Sequence, residues 1–398
     1  MKIGIITYYL NVGGVESVMF SLGRELKSRG FDVTYLETVH KGDWSDYFRN
    51  SGMSVVTIPI NKLFSKTHHV KKIAVELNKY DFLIINDAPY AVSALGLLRP
   101  EVISVTVLHN PIEGMVLNAL GFLNQVDSAI GITPSLCSML KKRTDNIERV
   151  KYIGNGVKVS KIFRPINSIN KKRILYLGRI EHNQKGVLYL PEIFKRIYAE
   201  DTSVTLTIIG DGPDLFKLKK LIEIENFSHA VAFKGKLDQE QVEIELNNHG
   251  ILLMPSFFEG HPISLLEAMS KGLVPVVSLI EGHTDIIVEH NHNGKLCKIG
   301  NVEDFAKQCS TLLKDKTVYD KLSEAAEYDV INKFSIQKMA DSYLTLYQNQ
   351  TRKILRTNTI DRRLLNGYVD MPFLLIRPFR KILRIFNFKS VQRNEENY

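Results

Sequence analysis

The 398-residue chain has little cysteine: Cys137, Cys297 and Cys309 are all it carries. None of the three is spaced as a metal ligand or a redox pair, so neither a zinc module nor a disulfide framework is expected, and a reducing cytoplasm is the simplest compartment. There is no cluster with metal-ligand spacing elsewhere either, and neither a metal nor a cofactor is expected. No run reaches the ~18 apolar residues of a spanning helix. The opening Met1-Lys2-Ile3-Gly4-Ile5-Ile6-Thr7 has too short an apolar core for a secretory leader and reads as a first strand. Charge of one sign is also scarce in the body. Residues 351–398 hold 11 of the 52 Lys and Arg but 4 of the 43 Asp and Glu, so only +2 of the net +9 belongs to residues 1–350. Without a basic stripe on a recognisable module, nucleic acid is not an expected partner.

What is present points to a globular α/β protein. With 44% apolar and 24% charged residues, the chain can bury a core, and its length suits two domains. In the first 150 residues, short Val- and Ile-rich runs alternate with longer helical patterns; Ile3–Tyr8, Val33–Leu36, Val55–Ile58, Phe82–Asn86, Val102–Leu108 and Ala129–Thr133 are the expected strands. A second series follows: Arg173–Leu177, Thr205–Ile209, Ala230–Phe233, Ile251–Met254, Val274–Val277 and Lys295–Cys297. That rhythm belongs to two Rossmann-like, doubly wound parallel sheets, whose ligands bind beyond the carboxyl ends of the strands.

Residues at those ends are therefore the ones to inspect. In Leu252–Gly272, an apolar run is stopped by Pro255 and Ser256, and Pro262 reads as the first residue of a helix. Glu259 falls on the loop and Glu267 in the helix, with the free amides near Ile263 and Ser264 forming an anion site between them. Carboxylates accept hydrogen bonds from sugar and ribose hydroxyls, while amides hold a diphosphate. Glu259 as a solvated loop charge and Glu267 as an ordinary surface position is the alternative. After the first strand, Gly13 and Gly14 open a helix with Val18, Leu22 and Leu26 on one face. This is a close-approach turn or simply a tight one, and its spacing does not fit the dinucleotide pattern G-x-G-x-x-G. His109 ends the fifth strand, as a site residue or a structural one. Asn86-Asp87 ends the fourth, with Asp87 expected to cap the following helix. Arg179 and Lys185, as a planar fork and a mobile point charge, suit a diphosphate if they are more than surface charges. Gly210 and Gly212 sit at another strand-to-helix turn, mainly structural but open to a passing nucleotide.

The pattern Glu259-Gly260-His261-Pro262 through Glu267-Ala268-Met269 resembles the signature of the retaining glycosyltransferases of family four, which have the two-domain GT-B fold facing a cleft. Gly13-Gly14-Val15-Glu16, His109-Asn110-Pro111 and Gly210-Asp211-Gly212-Pro213 match further stretches of that family, and Gly178-Arg179 with Lys185-Gly186 is close to another, with one residue more between Arg179 and Lys185, so the resemblance spans about residues 1–350. It implies that Glu259 meets the donor sugar and Glu267 the nucleotide ribose. His109, Arg179 and Lys185 would serve catalysis, and Gly13, Gly14, Gly210, Gly212, Gly260, His261, Ile263 and Ser264 would line the donor. Three departures stand out: His261 where Phe is usual, Lys158 for Asp after Ile153-Gly154-Asn155-Gly156-Val157, and Glu281-Gly282-His283-Thr284-Asp285 for a Gly-Gly turn and a Glu. The implied layout is an acceptor-side domain over 1–165, a donor domain over 166–333, a helix crossing back over 334–350, and a basic apolar tail over 351–398.

The implied activity is retaining transfer of a sugar from a nucleoside diphosphate sugar to a glycan or lipid-linked acceptor. A catalytically silent sugar-nucleotide binder and, less favoured, an epimerase on the same architecture are the alternatives. In the tail, residues 371–389 mix large apolar side chains with Arg and Lys at helical intervals, which suits the anionic inner face of a membrane; packing on the protein itself is the competing reading.

Overall fold

A computed structural model describes residues 1–121, 125–159, 170–349, 356–365 and 369–376. Seven strands form the first sheet: Lys2–Thr7 (β1), Asp32–Glu37 (β2), Ser54–Thr57 (β3), Phe82–Asn86 (β4), Ile103–Leu108 (β5), Ser128–Gly131 (β6) and Val150–Tyr152 (β7), in the order β3-β2-β1-β4-β5-β6-β7. Six form the second: Arg173–Leu177 (β8), Thr205–Ile209 (β9), Val231–Gly235 (β10), Ile251–Met254 (β11), Val274–Ser278 (β12) and Lys295–Cys297 (β13), in the order β10-β9-β8-β11-β12-β13. The second sheet is parallel throughout, as is the first from β3 to β5. Both are Rossmann-like, with order reversing between β1 and β4 in one and between β8 and β11 in the other. At such a reversal the flanking crossovers leave on opposite faces and open a crevice at the carboxyl ends.

The strands read clearly in sequence because both faces of each sheet are covered. In β4, β11 and β12 every residue is buried. Ile174 and Ile251 point into a core with Phe194, Leu206 and Phe305, while their neighbours Leu175 and Leu252 point to the opposite core with Leu265, Met269 and Val277. In the first unit, Val18, Leu22 and Leu26 line the buried face of the Gly14–Ser28 helix, as their spacing requires. The unexpected strand is β7, a three-residue segment whose Lys151 and Tyr152 are exposed, so no apolar run announces it.

The chain groups into two compact units. One holds Met1–Ile130, Met139–Lys151 and the described residues from Thr345 on; the other holds Gly131–Ser138 and Tyr152–Leu344. The expected boundary at residue 165 lies outside the described residues.

Part of the tail packs on the first unit. Arg356, whose side chain is 4% exposed, donates to the carbonyls of Val102 (2.7 Å) and Gln125 and faces Asp127 at 3.4 Å. Asn358 and Asp361 bond through their amides to the carbonyls of Gly96 and Ser93, and Leu365 is buried in the core beside Ala88. Pro372 bridges to Ser65, and the amides of Phe373 and Leu374 bond to Phe64 and Lys62. For residues 371–376 the packed reading therefore replaces the membrane one, although Leu374 and Leu375 stay outward. Residues 377–389 of that segment lie outside the described residues.

Candidate functional site

In the second unit, the loops after β8 and β11 are built to touch. Gly186 follows the short His182–Lys185 helix at φ +64°, and a Cβ there would lie 2.0 Å from the Pro255 carbonyl oxygen. Only glycine fits that approach. Across it, the amides of Phe257 and Phe258 bond to the Gln184 carbonyl at 2.9 and 3.3 Å. The contact sets Lys185 against Glu259: Lys185 Nζ donates to both Glu259 carboxylate oxygens at 2.8 Å, and Ser256 Oγ adds a 2.6 Å bond to one of them. Glu259 is 3% exposed, so this carboxylate is no solvated loop charge. An ammonium has three donors, and two are used here, leaving the third for a ligand oxygen.

Arg179 lies on the neighbouring turn, exposed and paired with Glu181 at 3.2 Å. Gly210, at φ +138°, would place a Cβ 1.9 Å from the Gly178 carbonyl, and Gly212 would strike that of Ile180. The open sides of both glycines thus face the 178–180 turn, which they allow to close on β9.

The helix after Glu259 runs Ile263–Met269, with Pro262 as its extended N-cap and not, as its sequence position suggests, its first helical residue. Among the described residues, the amides of Ile263 and Ser264 have no acceptor. Glu267 is half-buried, and its carboxyl has no hydrogen-bond partner among the described residues. Burial, and then the Glu243 carboxylate, pushes it up to about 7.

Two groups of this site, His283 and Thr284, entered the sequence reading only as part of the replaced Gly-Gly turn. His283 Nδ1 meets the Gly260 carbonyl at 3.0 Å and, since a carbonyl only accepts, carries the proton. Thr284 closes its own turn through bonds to Ile280 and Ser278. The replaced Gly-Gly turn therefore tethers the 259–261 loop through His283. His261 is 5% exposed, beside the Phe334 ring at 5.6 Å, and neither ring nitrogen has a partner. Burial, and then His283, lowers it to about 3, so the ring is neutral.

In the first unit, the carboxyl ends of β4 and β5 bring Asn86 and His109 together. His109 Nε2 lies 2.9 Å from Asn86 Oδ1, while Asn86 Nδ2 turns toward the carbonyls of Ile6 and Ile84. The network thus assigns the proton to Nε2 and leaves Nδ1 a buried acceptor without a partner. Burial lowers this ring to about 4. Asp87 does not cap the next helix, whose N-cap is Ala88 with no side-chain bond. It stands instead at φ +42°, an uncommon angle for a side-chain-bearing residue, and accepts from Asn118 at 3.0 Å. Gly13 is the extended N-cap of the Gly14–Ser28 helix, with the Glu16 carboxylate folded back over it.

These sheets and loops are those of a known family. Residues 159–329 match Glycosyl transferases group 1, and residues 12–161 match Glycosyltransferase Family 4. The chain belongs to the GT4-type glycosyltransferases and has their GT-B fold of two Rossmann-like domains. It is 25% identical over 378 residues to the N-acetyl-alpha-D-glucosaminyl L-malate synthase of Bacillus anthracis, covering 88% of this chain and 98% of that protein. It is 26% identical over 227 residues to the poly(ribitol-phosphate) alpha-N-acetylglucosaminyltransferase of Staphylococcus aureus, covering 57% and 45% respectively. In fold it is similar to Anabaena HepE solved in complex with UDP, with a TM-score of 0.74 at 16% identity, over 87% of this chain and 100% of that one.

Proposed function

We propose that the protein is a retaining glycosyltransferase that moves a sugar from a nucleoside diphosphate sugar to a glycan or lipid-linked acceptor in cell-surface polysaccharide synthesis. The observation that carries this reading is the Lys185–Glu259 pair at the carboxyl ends of β8 and β11, beside the open amides of Ile263 and Ser264. The diphosphate takes those amides, Arg179 and the third donor of Lys185. As the donor bond breaks, charge develops on the diphosphate, and fixed positive groups stabilise it more than they stabilise the bound donor. Glu259, oriented by Lys185 and Ser256, faces the sugar. Glu267 accepts from the ribose hydroxyls, which supply the partner its carboxyl lacks. Gly260 and His261 carry the loop between them. In the first unit, Gly13 and Gly14 offer a close backbone approach, and His109 Nδ1 accepts a sugar hydroxyl. Transfer by displacement on one face, with the leaving phosphate taking the acceptor proton, needs no protein nucleophile.

The curated relatives named above transfer N-acetylglucosamine and HepE was solved with UDP, which supports a nucleoside diphosphate sugar and makes uridine the first base to try. The test is release of nucleotide and anomer-resolved NMR of the product with a panel of such donors. An inverted product would refute retention, and binding without release or transfer would favour the silent binder. We place the protein in the cytoplasm, at the inner face of the membrane through residues 377–389. Liposome co-sedimentation should compare the full chain with one cut after Ile376, since a cut at 350 also removes the packed segment. Equal binding would refute the membrane contact.

A further inference from the structure

The first unit carries a patch of outward apolar side chains where the strap meets a loop. On the loop before the Lys66–Leu77 helix, Leu63 is 67% and Phe64 45% exposed. The strap lies against this loop: the amides of Leu374 and Phe373 bond to the carbonyls of Lys62 (2.9 Å) and Phe64 (3.2 Å), and Pro372 bridges to Ser65. Phe373 and Ile376 point inward, Phe373 onto the core that holds Ile58 and Leu83. Packing thus takes the backbone and the inner pair of side chains, and Leu374 (56% exposed) and Leu375 (51%) remain outside, on the stretch bonded to Leu63 and Phe64. Large apolar side chains gathered in this way mark an interaction surface, which singly scattered ones do not.

An independent observation is the charge around the patch, which has one sign. Residues 61–72 carry Lys62, Lys66, Lys71 and Lys72 and no Asp or Glu. Residues 369–376 hold a single acid, Asp370, and it is taken by Arg362 at 2.9 Å and by the Thr67 hydroxyl at 2.6 Å. Past Ile376 the sequence continues with Arg377, Arg380, Lys381, Arg384 and Lys389, again without an acid. Protein interfaces are depleted in lysine, whereas an anionic lipid surface takes apolar side chains into its headgroup layer and holds basic ones at its face. The two observations together select lipid over a protein partner.

We propose that Leu63 and Phe64, backed by the outward leucines of the strap, are a docking surface of the folded first unit for an anionic bilayer, with Lys62, Lys66, Lys71 and Lys72 meeting the lipid phosphates. The choice of lipid as partner rests on the membrane reading of residues 377–389, but the surface itself lies outside that segment. It adds a contact that is fixed to the fold through the Lys62 and Phe64 carbonyls, so the unit meets the bilayer in one orientation.

The test is co-sedimentation with vesicles of phosphatidylglycerol and, separately, of phosphatidylcholine, using the full chain, the double variant Leu63→Asp/Phe64→Asp and the chain cut after Ile376. Both replaced side chains are exposed, so the double variant should keep the thermal midpoint of the wild type. On phosphatidylglycerol it should bind about tenfold or more weaker than the full chain, since two apolar side chains are lost and two charges of the lipid's own sign are gained. The cut chain should keep a binding that the same double substitution removes. The proposal is overturned if the full chain does not prefer phosphatidylglycerol, or if the folded double variant binds it as well as the full chain does. Undiminished binding by the double variant with loss on cutting after Ile376 would overturn this surface and leave the reading of residues 377–389 standing; equal binding by the cut and full chains with loss in the double variant would do the reverse.

Discussion

Lys185→Met and Glu259→Gln, singly and together, probe the pair on which the site rests. The two carboxylate oxygens of Glu259 each receive a 2.8 Å bond from Lys185, and the side chains are 4% and 20% exposed. Removing one partner of a buried pair costs about 3–5 kcal/mol because the other charge is left unpaired. Lys185→Met strands a carboxylate with Ser256 alone, so it falls at the lower end of that range, about 3 kcal/mol. Glu259→Gln strands an ammonium that water can reach, and it keeps the Ser256 bond; about 1–2 kcal/mol is expected. The double variant should cost about 1.5–3 kcal/mol less than the sum of the two, the signature of groups in direct contact. Calorimetry of the four proteins reads this, with roughly 2–4 °C of midpoint per kcal/mol for a unit of this size. Additivity within about 0.5 kcal/mol would refute the pairing.

Further expectations follow from single side chains. The folded-state carboxyl of Glu267, raised to about 7, lies above its unfolded value, so its ionisation penalises the fold. The penalty is absent below about pH 4.5, grows as pH rises to about 7 and is complete above. Urea titrations of Glu267→Gln should therefore show its stability relative to wild type rising across that window, and nucleotide affinity of the wild type should rise with it; a flat difference would contradict the assignment. Gly186→Ala meets the Pro255 carbonyl at 2.0 Å and a left-handed φ, so more than about 2 kcal/mol of stability and most transfer activity should be lost, as melting curves and turnover would show. His261→Phe removes two unpartnered buried nitrogens and should raise the thermal midpoint, since each costs about 1–3 kcal/mol; an unchanged or lower midpoint would contradict this. Arg356→Ala removes the donor of the Val102 and Gln125 carbonyls and the cation facing Asp127, which keeps its Ser104 bonds, and should destabilise the first unit by about 3 kcal/mol, measurable as faster hydrogen exchange there.

The sheets were legible because buried parallel strands are continuous Val and Ile runs, and the rule that ligands sit beyond the carboxyl ends of such strands singled out Glu259, Arg179, His109 and Gly13 from sequence alone. Val150–Tyr152 was not, since an edge segment with two exposed side chains has no such run. Pro89 made Asp87 look like a cap; the strained backbone that turns it toward Asn118 depends on a helix thirty residues away. Ser256 and His283 hold Glu259 and Gly260 through contacts that loop closure creates, and while the sequence marked one as a strand stop and the other as part of a departing turn, it did not show those partners. In the tail, apolar and basic residues suit a lipid surface, but they suit a strap too, and over residues 371–376 the bonds of Phe373 and Leu374 to Phe64 and Lys62 decide for the strap.

The most direct test of the central claim is a thermal-shift panel of uridine, guanosine and adenosine diphosphates and their sugar conjugates, with chelator present, on the wild type and on Lys185→Met. At 100 times its dissociation constant a ligand of the folded state stabilises by about 2.7 kcal/mol. The account predicts that one base stabilises the wild type without metal and that the shift shrinks in Lys185→Met. It is contradicted if no nucleotide stabilises the wild type, or if the shift is the same in the variant.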